Sequence, residues 1–207
     1  MLRIDPGQLV FPRQTHSDHV AVVSRIPESE LTDTDALVTD RPGICICIQT
    51  ADCVPVLLFD PVSQAIGAIH AGWRGTVKKI AGEAISKMTR HYGSDPGKIV
   101  AAIGPSISRV VYEVGADVVT AFQEVFPDCG KFIRPIKKGK WLIDLREANR
   151  QVLMDAGVRP SGIEISERCS YLDEASFYSA RRDGQETGRI VTGIFIRETG
   201  LAPFKNS

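Results

Sequence analysis

Three short stretches of this 207-residue chain put reactive side chains where an apolar run gives way to turn residues. The first is QTHSDHV, with His16 and His19. The second is QTADCVP, with Asp52 and Cys53, and the third is AIGAIHAGWRGT, with His70, Trp73 and Arg74. Cys53 and His70 stand 17 residues apart. That is the length of one strand out, a turn and one strand back, and DPVSQ supplies the turn through Pro61 and Ser63. A hairpin of this shape sets Cys53 beside His70.

Two chemistries fit the pair. A His, a Cys and a second His can hold Zn²⁺ in three tetrahedral positions, leaving the fourth for water or substrate. Alternatively His70 activates Cys53 directly as a thiolate nucleophile for acyl transfer. Taken singly, each residue has a plainer reading: a strand Cys is a small buried hydrophobe, and a strand His is a hydrogen-bonded core group. Their joint placement at strand ends, among Gly, Asp and Pro, favours chemistry. His19 reads as the start of a strand, and His91 as a favourable cation at a helix C-terminus.

A fourth stretch is SFYSARRDGQETGR, Ser176 to Arg189, a turn following an aromatic segment. Arg181 and Arg182 are suited to bidentate recognition of phosphate or carboxylate, next to Asp183 and Gly184. The alternative is a surface turn closed by an Arg–Asp pair. Arg74 divides the same way, between anion binding and packing on Trp73.

The elements that must position these residues are closely spaced. QLVFPRQ, HVAVVS, ALVT, GICICIQT, VPVLLFD and AIGAIHA read as strands, too close together for a helix between each pair, so antiparallel pairing should dominate. Apolar residues at helical spacing predict a helix from Thr76 to about Tyr92 and a second from Val114 to Phe126. DLREANRQVLMDAG predicts a third, capped by Asp144 with Glu147 as its capping-box partner and ended by Gly157. KIVAAIGPSI, GIEIS and GRIVTGIFIR add strands. Clustered strands without strict alternation indicate an α+β class: one layered domain over 1–207, with a mixed, largely antiparallel sheet and flanking helices.

Composition narrows the function. Lys and Arg number 25 against 25 Asp and Glu, which argues against a nucleic-acid partner, and KKGK (Lys137 to Lys140) reads as a solvated loop. No run approaches the roughly 18 apolar residues of a membrane helix, and MLRIDPGQLV lacks a signal-peptide core, so no membrane partner is expected. Five cysteines, with Cys45 and Cys47 on one strand face, suit a reduced cytoplasmic chain better than a disulfide framework.

Together, TADCVP, GAIHAGWRGT, AAIGPSI with YEVG, and FYSARRDGQETGRI resemble the YfiH-like family, from about Phe11 to Phe195. Its members are described as laccase-like multicopper polyphenol oxidases, as purine nucleoside phosphorylases and as a peptidoglycan editing factor. The resemblance implies an α+β fold shared with cysteine hydrolases of the cytotoxic-necrotizing-factor kind. It implies a metal site at His16, Cys53 and His70, with Gly72 and Gly75 clearing space for substrate. Zn²⁺ is the expected metal, and Cu²⁺ suits the same ligands. Asp52 is expected to join the trio as a catalytic acid or base, with Asp183 the alternative proton carrier, and Arg74, Arg182 and Asp183 are the expected substrate-binding residues.

This chain departs from the family pattern in two places. The family has a further N-terminal segment before its Q-x-H histidine, whereas His16 here comes almost at once. Part of that segment's contribution to the pocket is therefore expected to be missing, replaced, or supplied by a neighbouring copy in a homo-oligomer. Cysteines that often follow the IGP motif are Ser106 and Ser108 here, so no metal role is expected there.

The expected function is a zinc-dependent purine nucleoside phosphorylase with adenosine deaminase activity, taking phosphate with adenosine, inosine or methylthioadenosine. The alternatives are an amidase editing peptidoglycan precursors and a copper polyphenol oxidase. Four histidines cannot furnish a laccase-type multinuclear centre.

Overall fold

Residues 65–71 are buried without exception, and their alternation divides the interior into two cores. The computed structural model describes residues 4–197. In chain order the first strands are β1 (Leu9–Val10), β2 (Val20–Val22), β3 (Ala36–Thr39), β4 (Cys45–Thr50), β5 (Val54–Asp60) and β6 (Ala65–Ala71). There follow α1 (Trp73–Val77), α2 (Ile80–Tyr92), β7 (Val100–Ile103), β8 (Glu113–Val114) and α3 (Ala116–Val125). The chain continues with β9 (Ile133–Lys137), β10 (Lys140–Ile143), α4 (Leu145–Asp155), β11 (Ile163–Ile165), α5 (Ala180–Asp183) and β12 (Ile190–Phe195).

The central layer is a six-stranded sheet in the order β11-β7-β5-β6-β3-β2. Its middle pairs β7/β5, β5/β6 and β6/β3 are antiparallel, and its outer pairs β11/β7 and β2/β3 are parallel. On one face Ala36, Val38, Val56, Leu58 and Ile69 meet Ala81, Ala84, Ile85 and Met88 of α2 and Val152 and Leu153 of α4. On the other face Leu37, Ile66 and Ala68 meet Ile46 and Ile48 of β4. β4 is the middle strand of a second sheet, β1-β4-β12, so the central sheet is covered on both sides. Each large aliphatic side chain buried this way stabilises the fold by about 1.5–3 kcal/mol.

The α+β class is the one expected, but the sheet is not single. β8, β10 and β9 form a small antiparallel sheet of their own, and the KKGK loop is its hairpin tip, with Gly139 at φ 74°. The helix expected from Thr76 is broken, because Lys79 adopts a left-handed φ of 58° between α1 and α2. Glu113 and Val114 pair with β10, which delays the next helix to Ala116. Asp144 caps α4 by accepting from the Glu147 N–H at 3.1 Å; the Glu147 carboxylate turns to Arg150 instead of closing a capping box. Among the described residues no helix is long and apolar enough to cross a membrane.

Candidate functional site

The β5–β6 hairpin pairs Pro55 with His70, which leaves Cys53, just ahead of β5, beside Gly72. His16 joins them from the loop between β1 and β2. The Cys53 Sγ lies 3.8 Å from His16 Nε2, and the rings of His16 and His70 meet edge-on at 4.9 Å. One ligating atom from each of the three residues falls within 4.8 Å of the others, the only such trio among the described residues. Tetrahedral Zn–S and Zn–N bonds of about 2.3 and 2.0 Å bring ligand atoms to about 3.5 Å separation, so the trio needs only a small contraction.

Local backbone and packing serve this approach. A Cβ at position 72 would stand 2.9 Å from Cys53 Sγ and 2.9 Å from His16 Cδ2, so only glycine lets the ligands converge. Gly75 has a different task from the one expected: its Cβ would meet Ile80 at 3.2 Å and the His70 carbonyl at 3.5 Å, which is helix packing. His16 and Asp52 hold left-handed φ values of 63° and 86°, an uncommon conformation that concentrates at functional loops.

Behind the trio stands Asp35, which no motif drew out of the sequence. It is fully buried and accepts a hydrogen bond from His70 Nδ1 at 2.7 Å. It also accepts from the backbone N–H groups of Thr15, His16 and Ser17 at 3.0, 3.0 and 2.7 Å, and from the Ser17 hydroxyl at 2.8 Å. One carboxylate thereby fixes the His70 tautomer, leaving Nε2 for the site, and shapes the loop that presents His16. The signal for it was register: β3 pairs Ala36 with Ile69, which puts Asp35 opposite His70.

The charges follow from these contacts. Burial opposes ionisation of Asp35, but hydrogen bonds from His70 and Ser17 outweigh it and hold the carboxyl well below its usual range. Burial likewise opposes charge on His70, yet Asp35 and Cys53 raise its pKa to about 9. Burial also disfavours the Cys53 thiolate, but His16 and His70 bring the thiol down to about 6. Without a metal, the trio is a thiolate held by imidazolium.

The other expected site residues fare differently. Asp52 is buried, and its carboxylate accepts from the Ser170 hydroxyl at 2.7 Å, the Ser179 hydroxyl at 3.0 Å and the Arg181 N–H at 2.7 Å. It therefore ties the Cys53 loop to the 170–181 segment instead of offering a free acid or base. Arg182 donates to both Asp183 oxygens at 2.7 Å and to the carbonyls of Ser170, Tyr171 and Phe177. All five of its N–H groups are engaged, so Arg182 and Asp183 brace this segment and present no free guanidinium donor to a substrate. Arg74 is exposed and lies 4.3 Å over the Trp73 ring. Ser106 and Ser108 sit beside Cys169, which accepts from the Ser108 N–H at 3.3 Å.

A cavity of about 270 Å³ opens over the trio, lined also by Gln14, Gln49, Gln185 and Arg189. Gln14 is held as a strand surrogate, its amide exchanging hydrogen bonds with the Gln49 backbone at 2.7 and 2.8 Å. Larger clefts occur beside Arg109 and beside Tyr178, about 380 and 550 Å³, but neither gathers ligating side chains.

A His–Cys–His trio with a carboxylate behind it, at the rim of a layered α+β fold, defines a protein with one candidate mononuclear metal centre. Residues 1–197 match the family described as multi-copper polyphenol oxidoreductase laccase, and the chain belongs to that family. It is 43% identical over 202 residues to a purine nucleoside phosphorylase of Bacteroides thetaiotaomicron, covering 93% of this chain and 75% of that one. It is 45% identical over 203 residues to adenosine deaminase RL5 from an unknown prokaryotic organism, covering 94% and 77%. Among solved structures, a hypothetical protein YfiH of Bacillus licheniformis superposes with a TM-score of 0.90 at 35% identity, covering 94% of this chain and 76% of that one. The chain is an enzyme.

Proposed function

We propose that this enzyme is a zinc-dependent purine nucleoside phosphorylase that also deaminates adenosine. The observation that carries the reading is the His16–Cys53–His70 trio at the floor of its cavity, in a chain 43–45% identical to enzymes named for those two reactions. In phosphorolysis a phosphate oxygen bonds to the anomeric carbon as the bond to the purine nitrogen breaks. The electron pair leaves with the purine, which takes up a proton, giving free base and ribose 1-phosphate. In deamination a water oxygen adds to the purine C6 and ammonia leaves.

His16, Cys53 and His70 would hold the metal, which would supply Lewis-acid polarisation and a water of lowered pKa. Asp35 keeps His70 in the ligating tautomer, and Gly72 keeps the two loops in contact. Asp52 holds the Cys53 loop against the 170–181 segment. Arg74, exposed on α1, adds positive potential outside the cavity for an anionic co-substrate. A single trio supports a mononuclear centre and disfavours multinuclear copper chemistry, because His19 bonds Thr34 and His91 lies beside Tyr92 with the rings tilted at 54°, both away from the trio. Five free thiols are in keeping with a reducing cytoplasm.

One observation favours a second reading. A thiol lowered to about 6 beside a histidine raised to about 9 is also the resting state of a cysteine nucleophile, as an amidase would need. The test is to incubate metal-analysed protein with inosine or adenosine, with and without phosphate, and in parallel with muramyl-peptide precursors. We expect base and ribose 1-phosphate, lost on chelation and restored by Zn²⁺. Chelator-resistant cleavage of the muramyl peptides, with no nucleoside turnover, overturns the reading.

A further inference from the structure

Two arginines, one in α5 and one in the loop that follows it, meet opposite fates. Arg182 has every donor engaged and a carboxylate partner in Asp183. Arg189, seven residues on, has neither. Its Nη1 donates to the carbonyls of Thr187 and Gly188, and its Nη2 to the carbonyl of Gln185 at 2.9 Å. Among the described residues it forms no ion pair, and its Nε–H and one Nη2–H remain without a partner. Neutral carbonyls thus hold the side chain in place while leaving its charge uncompensated.

That charge faces the chemistry. Arg189 is the one lysine or arginine lining the cavity over His16, Cys53 and His70. A guanidinium fixed in advance loses little conformational entropy when an anion arrives, and its free donors suit phosphoryl oxygens. A lysine would offer a mobile point charge instead. The cavity's remaining polar groups, Gln14, Gln49 and Gln185, are neutral and suit sugar hydroxyls or a base edge.

We infer that Arg189 is the phosphate-binding residue of the cavity, holding inorganic phosphate beside the trio. The inference rests on the phosphorolysis reading for its reaction but not for its binding measurement. The tests use metal-loaded enzyme and the variants Arg189→Ala and Arg189→Lys. Removing a charge-assisted pair of hydrogen bonds should raise the KM for phosphate about 10- to 100-fold, and that for inosine less than about threefold. Arg189→Lys should fall between wild type and Arg189→Ala.

Calorimetry with inorganic phosphate, without nucleoside, should show binding to wild type and a matching loss in Arg189→Ala. Equal rises in both KM values, or unchanged phosphate binding, overturns the inference and returns Arg189 to holding its own loop. So does an effect confined to nucleoside 5′-monophosphates, which would assign the charge to a substrate phosphate. A wild type that binds phosphate through Arg189 but phosphorolyses no nucleoside sinks the functional reading alone.

Discussion

Two groups of sulfur lie within nine residues of each other and could hardly differ more. Cys45 and Cys47 point to one face of β4 with their sulfurs 3.6 Å apart, closer than Cys53 is to His16. Both are buried, and Gly193 of β12 crosses above them where a Cβ would come within 2.8 Å of the Cys47 sulfur. The hydrogen bond from one sulfur to the other, reinforced by burial, pushes the Cys47 thiol up, so the pair keeps a proton. Cys53 is half-buried with a carboxylate behind its imidazole neighbours, and burial is outweighed by hydrogen bonds with His16 and His70, which bring its thiol down to about 6. Proximity of sulfur is therefore not what makes a site. Here the strand-interior cysteines pack, whereas the cysteine on a strand-end loop meets imidazoles from two other segments.

The largest expected effect breaks that comparison if it fails. Cys53→Ala should lose the bound metal, and kcat/KM for nucleoside should fall about 10³-fold or more, as several kcal/mol of transition-state stabilisation disappear. Its stability without metal should change by only about 1 kcal/mol, because a loop thiol contributes little packing. Cys47→Ala should do the reverse: full metal content and activity, with stability lowered by about 1–2 kcal/mol from the cavity left in β4. Metal analysis and urea unfolding of both variants decide it, and metal retained by Cys53→Ala removes the site.

A smaller effect sharpens what distinguishes the two sulfurs. Asp35→Asn preserves shape but no longer enforces the His70 tautomer, and should weaken zinc binding about 10- to 100-fold, read by competition with a chromophoric chelator. Folding is checked separately by circular dichroism. Unchanged affinity would mean that the carboxylate serves only the loop carrying His16.

Much of this site is legible in the chain because it is local. A hairpin fixes its own spacing, so 17 residues suffice to join Cys53 to His70. Asp35 is not legible, since its partner lies 35 residues away and the β3–β6 register appears only after the sheet assembles. The arginines fail for a related reason. RRDG looks like an anion site from residue types alone, but whether a guanidinium is free depends on which carbonyls the loop turns toward it. The loop turns three toward Arg182 and adds Asp183. The helix break at Lys79 was hidden too, because apolar residues continue at helical spacing through a single left-handed residue.

The smallest effect concerns the thiol itself, and its size follows from two opposing terms. At pH 7 a thiol of pKa about 6 is mostly thiolate, whereas one at the ordinary 9.0 is about one per cent ionised. That gain is nearly two orders of magnitude. A thiolate of lower pKa is also a poorer nucleophile, with a Brønsted coefficient of about 0.4–0.5, so three units cost about 20-fold. Iodoacetamide should therefore label Cys53 of the metal-stripped enzyme only about fivefold faster than an ordinary exposed cysteine. The decisive observable is the pH profile. Labelling of metal-free Cys53 should rise between about pH 5 and 7 and then level, since protonation removes the thiolate only below its pKa. An ordinary thiol keeps rising beyond pH 8. Zn²⁺ should suppress labelling at every pH by engaging the sulfur, and Cys45 and Cys47 should stay unlabelled until the protein unfolds. Rapid labelling of fully metallated, active enzyme would instead make Cys53 the nucleophile, and the comparison would then separate a catalytic thiol from two packing ones.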